Sequence, residues 1–338
     1  MSFTITTANE AGWEEWDRWL SRSPHASPFH QRAALELLAD HTETTLYPLL
    51  AYKGDHAVGL LPVFEGQIGP FTTVVSPPKQ TEVYYLGPVL CDIGSLKQRK
   101  LDQRTRRFSE NSISWIRETI DPSLIHIRTV DRFHDLRPFS DANFNVTPYY
   151  TYITDLTPAV DELMSSLSRD ARSNVTNADT TSLTIQTGGK DAARSIIQRV
   201  SDRYEEQNKS YHIDQAFIDR LITTLPEGSV RPYICSDEDG TIIGGIITLE
   251  YGDTIYRWQG GTKPDVGVPV NDLLDWHVMC DAKERGLKRY DLVGANTERI
   301  CRYKSKFAPE LVHYHGALWR TPTADLASSI RSFIRSSG

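Results

Sequence analysis

Apolar side chains return at two different periods along this chain, and the change from one period to the other marks out the elements. Val270, Leu273, Leu274, Val278 and Ala282 recur at helical spacing, and Gly286 stands where a glycine closes a helix. Tyr290, Asp291, Leu292 and Val293, which follow, predict a short, largely buried strand, ended by Gly294, which permits a turn that a Cβ would hinder. Helical patterns also run through "QRAALELLAD", "DQAFIDRLITTL", residues 95–120 and residues 189–208. The stretch "TPAVDELMSSLSRDARSNVTNA" predicts one more helix, capped by Thr157, with Pro158 in its first turn and Leu163 and Leu167 a turn apart. A strand around "VHYHGALW" and a last helix near 323–335 close the chain.

The period-2 segments repeat. "YPLLAYKGDHAVGLLPV" (47–63) reads strand, polar turn, strand, and "RPYICSDEDGTIIGGIITLEYGDTIYRW" (231–258) repeats that pattern and extends it into another hairpin. Pro48 aligns with Pro232, and Gly59 with Gly244. Each copy is preceded by a helical segment and followed by a longer helix and a strand, "LIHIRTV" or "RYDLVG". Two copies of one α/β unit account for this better than one irregular domain, and the turn formers of "FSDANFNVTP" place the boundary there, giving modules 1–145 and 146–338. A length of 338 residues agrees with two cores rather than one.

Composition narrows the function without naming it. The chain is 39% apolar and 24% charged, has no run of eighteen apolar residues, and begins without a basic, apolar leader, so a cytoplasmic protein with no transmembrane segment is expected. A net charge of −7 argues against a general nucleic-acid coat and leaves room for a local basic groove. Cys91, Cys235, Cys280 and Cys301 form no C-x-x-C pair and read as small core residues; His313 and His315 have no companions at metal-ligand spacing, so no metal site is expected. A Walker A sequence, G-x-S-x-G, H-E-x-x-H and a G-x-G-x-x-G after a strand are all missing.

Candidate chemistry gathers beyond the strand that ends at Gly294. Ligands collect outside the carboxyl ends of strands in open α/β sheets, and Arg299, Arg302, Lys304 and Lys306 fall there, able to hold an anion or to be a solvated basic loop. Arg169 and Arg172 lie three apart on one helical face, as a phosphate clamp or an exposed pair would. Asp291 is placed to orient an amine or accept its proton, or to be a buried aspartate bonded to a neighbouring turn. Tyr303, Trp258, Gln259 and Asn271 either line a cleft or belong to the core. Lys97, Lys100, Arg104 and Arg107 share a helix face that is either solvated or able to grip phosphates of a tRNA or a nucleotide-linked sugar.

Residues 145–320 resemble the GNAT-like acyltransferases, and more narrowly the Fem-type peptidyl transferases and their acetyltransferase relatives with tandem GNAT-like domains. "SRDARSNVTNA", "DGTIIGGIITLEYGDTIYRWQGGT", "VNDLLDWHVMCDAKERGLKRYDLVG" and "CRYKSKF" carry the resemblance by their order and spacing; the first half fits through "AVGLLPVF" and "YLGPVL". It implies two tandem GNAT-like modules, mixed twisted sheets flanked by helices, facing each other across a cleft. It also implies transfer of an acyl or aminoacyl group to an amine of an anionic small molecule or cell-envelope precursor. The co-substrate would be acyl-CoA or aminoacyl-tRNA, with no permanently bound cofactor. Lys304 matches the family's aromatic-Lys position, where positive charge steadies a substrate phosphate and the transition state, and Arg172 matches its arginine helix.

Two departures stand out. Asn177 occupies a position where family members carry lysine. The acyl-CoA cradle Q/R-x-x-G-x-G/A is represented by "RWQGGT", with Arg257, Gly260 and Gly261 but ending in Thr262, before a loop "KPDVGVP". These departures keep a second expectation open, a non-catalytic ligand-binding protein that retains the fold.

Overall fold

The computed structural model describes residues 3–8, 10–262 and 267–327. The first residues of the "KPDVGVP" loop and the predicted helix beyond residue 327 lie outside them. In chain order, β1 (Phe3–Thr7), α1 (Glu10–Leu20), α2 (Arg32–Thr42), β2 (Thr45–Lys53), β3 (His56–Ile68), β4 (Phe71–Ser76), β5 (Val89–Leu90), α3 (Gln98–Thr119), β6 (Leu124–Arg128) and α4 (Arg137–Asp141) come first. They are followed by β7 (Asn145–Asp155), α5 (Val160–Ser166), α6 (Arg169–Asn177), β8 (Thr184–Thr187), α7 (Lys190–Glu206), α8 (Gln215–Thr224), β9 (Val230–Ser236) and β10 (Ile242–Tyr251). The last are β11 (Thr254–Thr262), α9 (Val270–Glu284), β12 (Arg289–Asp291), α10 (Glu298–Lys304) and β13 (Glu310–Arg320). These elements form two compact units, one from residues up to 148 together with those from 314 on, the other from residues 149–313.

In the first unit the strands run β1-β2-β3-β4-β6-β13, every neighbouring pair antiparallel except the parallel pair β4/β6. In the second they run β8-β9-β10-β11-β12-β7, again antiparallel throughout except at β11/β12. A parallel pair needs a long crossover, and a helix supplies it both times, α3 before β6 and α9 before β12. Two helices separate the first strand from the second in each unit, α1 and α2 or α7 and α8. The repeated proline and glycine occupy equivalent rungs. Three residues after Pro48, Ala51 pairs with Gly59 beside a bulge; three after Pro232, Cys235 pairs with Gly244 beside a bulge.

The second unit's core forms where α9 lays Leu274, Val278, Met279 and Ala282 over Ile243, Ile246, Ile255 and Tyr290 of the sheet. On the other face α7 comes so close that a Cβ on Gly245 would sit 2.5 Å from Ile196 Cγ1. The hairpin from β10 to β11 turns at Gly252, whose φ of 60° suits the tight two-residue loop between Tyr251 and Thr254.

The single helix expected from Thr157 onward is two. The Thr157 N–H and Oγ1 both bond Asp155 instead of capping, and α5 starts after Ala159, whose N–H donates to Glu162. Leu167 is extended between the helices, and the Ser168 Oγ accepts from the Ala171 N–H to start α6 afresh. Ser168 also donates its own N–H to Lys306 O, which ties this break to the segment after α10. Among the described residues, no helix is long and apolar enough to cross a membrane.

Candidate functional site

β11 and β12 are partners for three rungs only, Thr254 with Arg289, Ile255 with Tyr290 and Tyr256 with Asp291. Beyond them the strands part. β11 continues to Thr262 along β10, while the chain after Asp291 turns away through two residues in the left-handed region, Val293 at φ 50° and Gly294 at φ 79°. On β11 the register slips at Trp258: Ile247 pairs with Gln259 and Thr248 with Arg257. Such a bulge bends the strand and re-aims its side chains. Trp258 meets the ring of Phe217 on α8, Gln259 accepts from the Tyr211 hydroxyl at 3.0 Å, and Arg257 points to α9.

The turn after β12 is held from within. Asp291 is buried, and its Oδ1 accepts from the Val293 N–H at 2.9 Å and from the Thr151 hydroxyl at 2.7 Å, while Thr151 Oγ1 accepts from the Gly294 N–H. From the other side Lys304, at the end of α10 and 8% exposed, donates through Nζ to Val293 O at 2.5 Å and Gly294 O at 2.9 Å. Burial, and then the charge of Arg257, push the Lys304 ammonium down to about 7; Asp291 and Asp275 act against that. The two residues named for catalysis therefore meet at one turn, the aspartate bracing its N–H groups and the lysine its carbonyls.

Beside this turn lies a network whose carboxylates, Asp275 and Asp272, sequence reasoning missed. Asp275 of α9, fully buried, accepts from Arg257 Nε at 2.8 Å and the Tyr290 hydroxyl at 2.5 Å on Oδ1, and from the Tyr303 hydroxyl on Oδ2. One carboxylate thus joins β11, β12, α9 and α10. Burial opposes the Arg257 charge, yet Asp275 together with Tyr290 and Tyr303 offsets this and holds its pKa above the ordinary value; burial and then Asp275 raise both tyrosines well above theirs. Next to it Asp272, also buried, accepts from Asn174 of α6 and from Lys306 Nζ at 3.3 Å, and Lys306 Nζ reaches Asp170 at 3.2 Å. The sequence signal was present in the helix that carries them: Asp272 and Asp275 interrupt the apolar face of Leu273, Leu274 and Val278, and charges there require partners.

The remaining candidates scatter. Arg302 is 80% exposed and pairs with Glu298; Arg169 is exposed; Arg172 is exposed and donates to Ser165 O. Asn271 is half-buried in the first turn of α9. Gly260 and Gly261 sit inside β11, paired with Ile246 and Gly245, rather than in a turn at a helix N-terminus. In the first unit Arg104 turns inward to Cys91 O, while Lys97 and Lys100 stay exposed. Cys91 and Cys235 are buried, Cys280 and Cys301 half-buried. A groove of about 660 Å³ in the first unit, lined by Glu43, Gly66, Thr73 and Lys79 among others, includes none of the candidate site residues. No cluster of three metal-ligating side chains occurs among the described residues.

Residues 165–305 match the model of an Acetyltransferase (GNAT) domain, a span that contains the β11/β12 opening, Asp275 and Lys304. No curated protein matches the chain. Among solved structures, FemX is similar at a TM-score of 0.71 and 12% identity, with 92% of this chain and 96% of that one covered. L-PGS from Bacillus licheniformis gives 0.58 and 12%, covering 94% and 96%. The C-terminal domain of a putative lysylphosphatidylglycerol synthetase from Agrobacterium fabrum gives 0.57 and 14%, covering 95% and 96%. At such identities the likeness is one of fold. Residues 165–305 are thus similar to a GNAT acetyltransferase domain, and the chain, whose two units repeat one strand order, shares a mixed α/β fold with FemX.

Proposed function

We propose that the chain is a cytoplasmic N-acyltransferase that moves an acyl or aminoacyl group from acyl-CoA or aminoacyl-tRNA to an amine on an anionic small molecule or cell-envelope precursor. The observation that carries this reading is the opening between β11 and β12, with Lys304 buried at the turn beyond it. An extended carrier arm can lie along the free side of β11. The acceptor nitrogen attacks the acyl carbon, the carbonyl oxygen becomes an oxyanion, and the bond to the carrier sulfur or oxygen breaks as the amine loses its proton. Two Lys304 N–H groups are engaged with Val293 O and Gly294 O, so the charged form has one left for the oxyanion or an anionic substrate group. Positioning supplies much of the remaining rate.

The test is a transfer assay with labelled acetyl-CoA and, separately, a pool of charged tRNAs, using a nucleotide-linked peptide precursor as acceptor and mass spectrometry as readout. Product from one donor fixes the donor class. Lys304→Ala should lower turnover about 10²-fold or more while the circular dichroism spectrum is retained. Undiminished turnover removes Lys304 from the mechanism, and a ligand held tightly but returned unmodified favours a binding protein.

A further inference from the structure

The groove of about 660 Å³ in the first unit has the end of β3, at Gly66, as its floor. β2 flanks that floor on one side, where Thr45 pairs with Glu65, and β4 on the other, where Thr73 pairs with Gly66. Glu43, just past α2, stands on the β2 side; Lys79, just past β4, stands on the β4 side. Neighbouring strands lie about 4.8 Å apart, so β2 and β4 are separated by about 10 Å, and opposite charges border the groove from its two sides. Both side chains are exposed, and among the described residues neither has an ion-pair or hydrogen-bonding partner.

The polarity extends past these two residues. Glu65 also lines the groove, beside β2. On the other side Val75 pairs with His126 of β6, and burial, followed by Arg128, Lys79 and Arg320, pushes that imidazole down to about 4. Near neutral pH it carries no charge, while three cations bear on it from the β4, β6 and β13 side. Among the described residues no aromatic side chain lines the groove, which disfavours a stacked nucleobase, and Lys79 alone is too little charge for a polyphosphate. A neutral ligand would cover both charges and pair neither. Between them, Thr73 donates its hydroxyl to Gly66 O at 3.2 Å and Thr42 donates to Leu38 O at 2.7 Å, so each keeps a lone pair for an incoming N–H. Opposite charges on two sides and N–H acceptors between them describe a zwitterion with amide groups.

We propose that this groove is a binding site for a short peptide with free termini, its ammonium at Glu43, its carboxylate at Lys79 and its amide N–H groups on the threonine hydroxyls between them. An extended chain of three residues spans about 10 Å, the separation of the two sides. None of the candidate site residues lines the groove, so the assignment does not rest on the transfer reading.

The experiment is titration calorimetry on the full chain with L-trialanine, its N-acetyl derivative and its C-terminal amide, using the wild type, Glu43→Gln and Lys79→Met. Each substitution removes one charge at an exposed position, and urea midpoints confirm that the variants fold. Trialanine should bind the wild type, and each variant should bind it more weakly by about tenfold or more, the worth of a charge-assisted hydrogen bond. Acetylation should weaken wild-type binding as Glu43→Gln does and cost nothing further in that variant; amidation should behave in the same way with Lys79→Met. No binding of trialanine by the wild type, or equal affinity in both variants, overturns the assignment. Losses from terminus and side chain that add instead of coinciding overturn it too, because the terminus and the residue would then not be partners. Capped peptides that bind as tightly as trialanine mark a ligand recognised without its charges, which also refutes the proposal.

Discussion

Lys304→Met should change how stability depends on pH. In the folded chain the Lys304 ammonium is pushed from its usual 10.5 down to about 7, first by burial and then by Arg257. The unfolded chain returns it to the ordinary lysine value, so between pH 7 and 10.5 the unfolded state binds more protons at this site. Stability contributed by this group therefore rises with pH across that window. Below pH 7 both states are protonated and the folded state carries the whole cost of the buried charge. The fall from 10.5 to about 7 corresponds to roughly 5 kcal/mol over the full window, an order-of-magnitude figure for a group only 8% exposed. Methionine has a similar length and no charge, so it removes the slope and forfeits the bonds to Val293 O and Gly294 O. Urea unfolding from pH 6 to 10 on both proteins is the assay. The wild type should gain on the variant by several kcal/mol as pH rises, and the variant should compare best at the acid end. Curves that stay parallel within about 0.5 kcal/mol would refute the reasoning, because they would mean that the lysine keeps an ordinary pKa in the folded chain.

Asp275→Asn should cost about 3–5 kcal/mol in chemical denaturation, since it leaves the Arg257 guanidinium beside a neutral amide and disturbs two tyrosine hydroxyls; a loss under about 1 kcal/mol would show that the network carries little of the unit's stability. Gly245→Ala should destabilise by about 1–3 kcal/mol or more, because its Cβ would fall 2.5 Å from Ile196 Cγ1 and 3.0 Å from Tyr233 O. Pairing it with Ile196→Ala should recover part of the loss, and a double variant no better than the sum of the two would argue against that contact.

The duplicated architecture was legible because it rests on local rules. Period-2 hairpins, a shared proline and glycine, and a long crossover helix before a short strand can be read from spacing, and they occupy equivalent rungs in the two units. The helix break at Leu167 was not legible, since Leu163 and Leu167 keep helical spacing and both reach the core; only the bond from Ser168 to Lys306 O shows why the chain restarts there. Lys304 and Asp291 were found as chemical types near a strand end, without the turn that brings them together. Arg257 and Asp275 stand 18 residues apart, on a strand and on a helix, and neither their register nor the bulge at Trp258 has a sequence signal. The basic run that looked like one surface separates for the same reason: on α10, Arg302 faces solvent while Lys304 faces the core.

The strand that completes the first unit has a consequence for how the chain is made. β6 pairs with residues Gly316–Arg320, which leave the ribosome 188 residues after Arg128. At roughly 5–20 residues per second, that is a wait on the order of ten to forty seconds. Throughout it the nascent first unit offers β6 as an open margin with unpaired backbone groups, the template on which neighbouring chains aggregate. Residues 149–313 are all synthesised before the closing strand arrives, so the unit in the middle of the sequence can mature first and the unit that begins the sequence is sealed last.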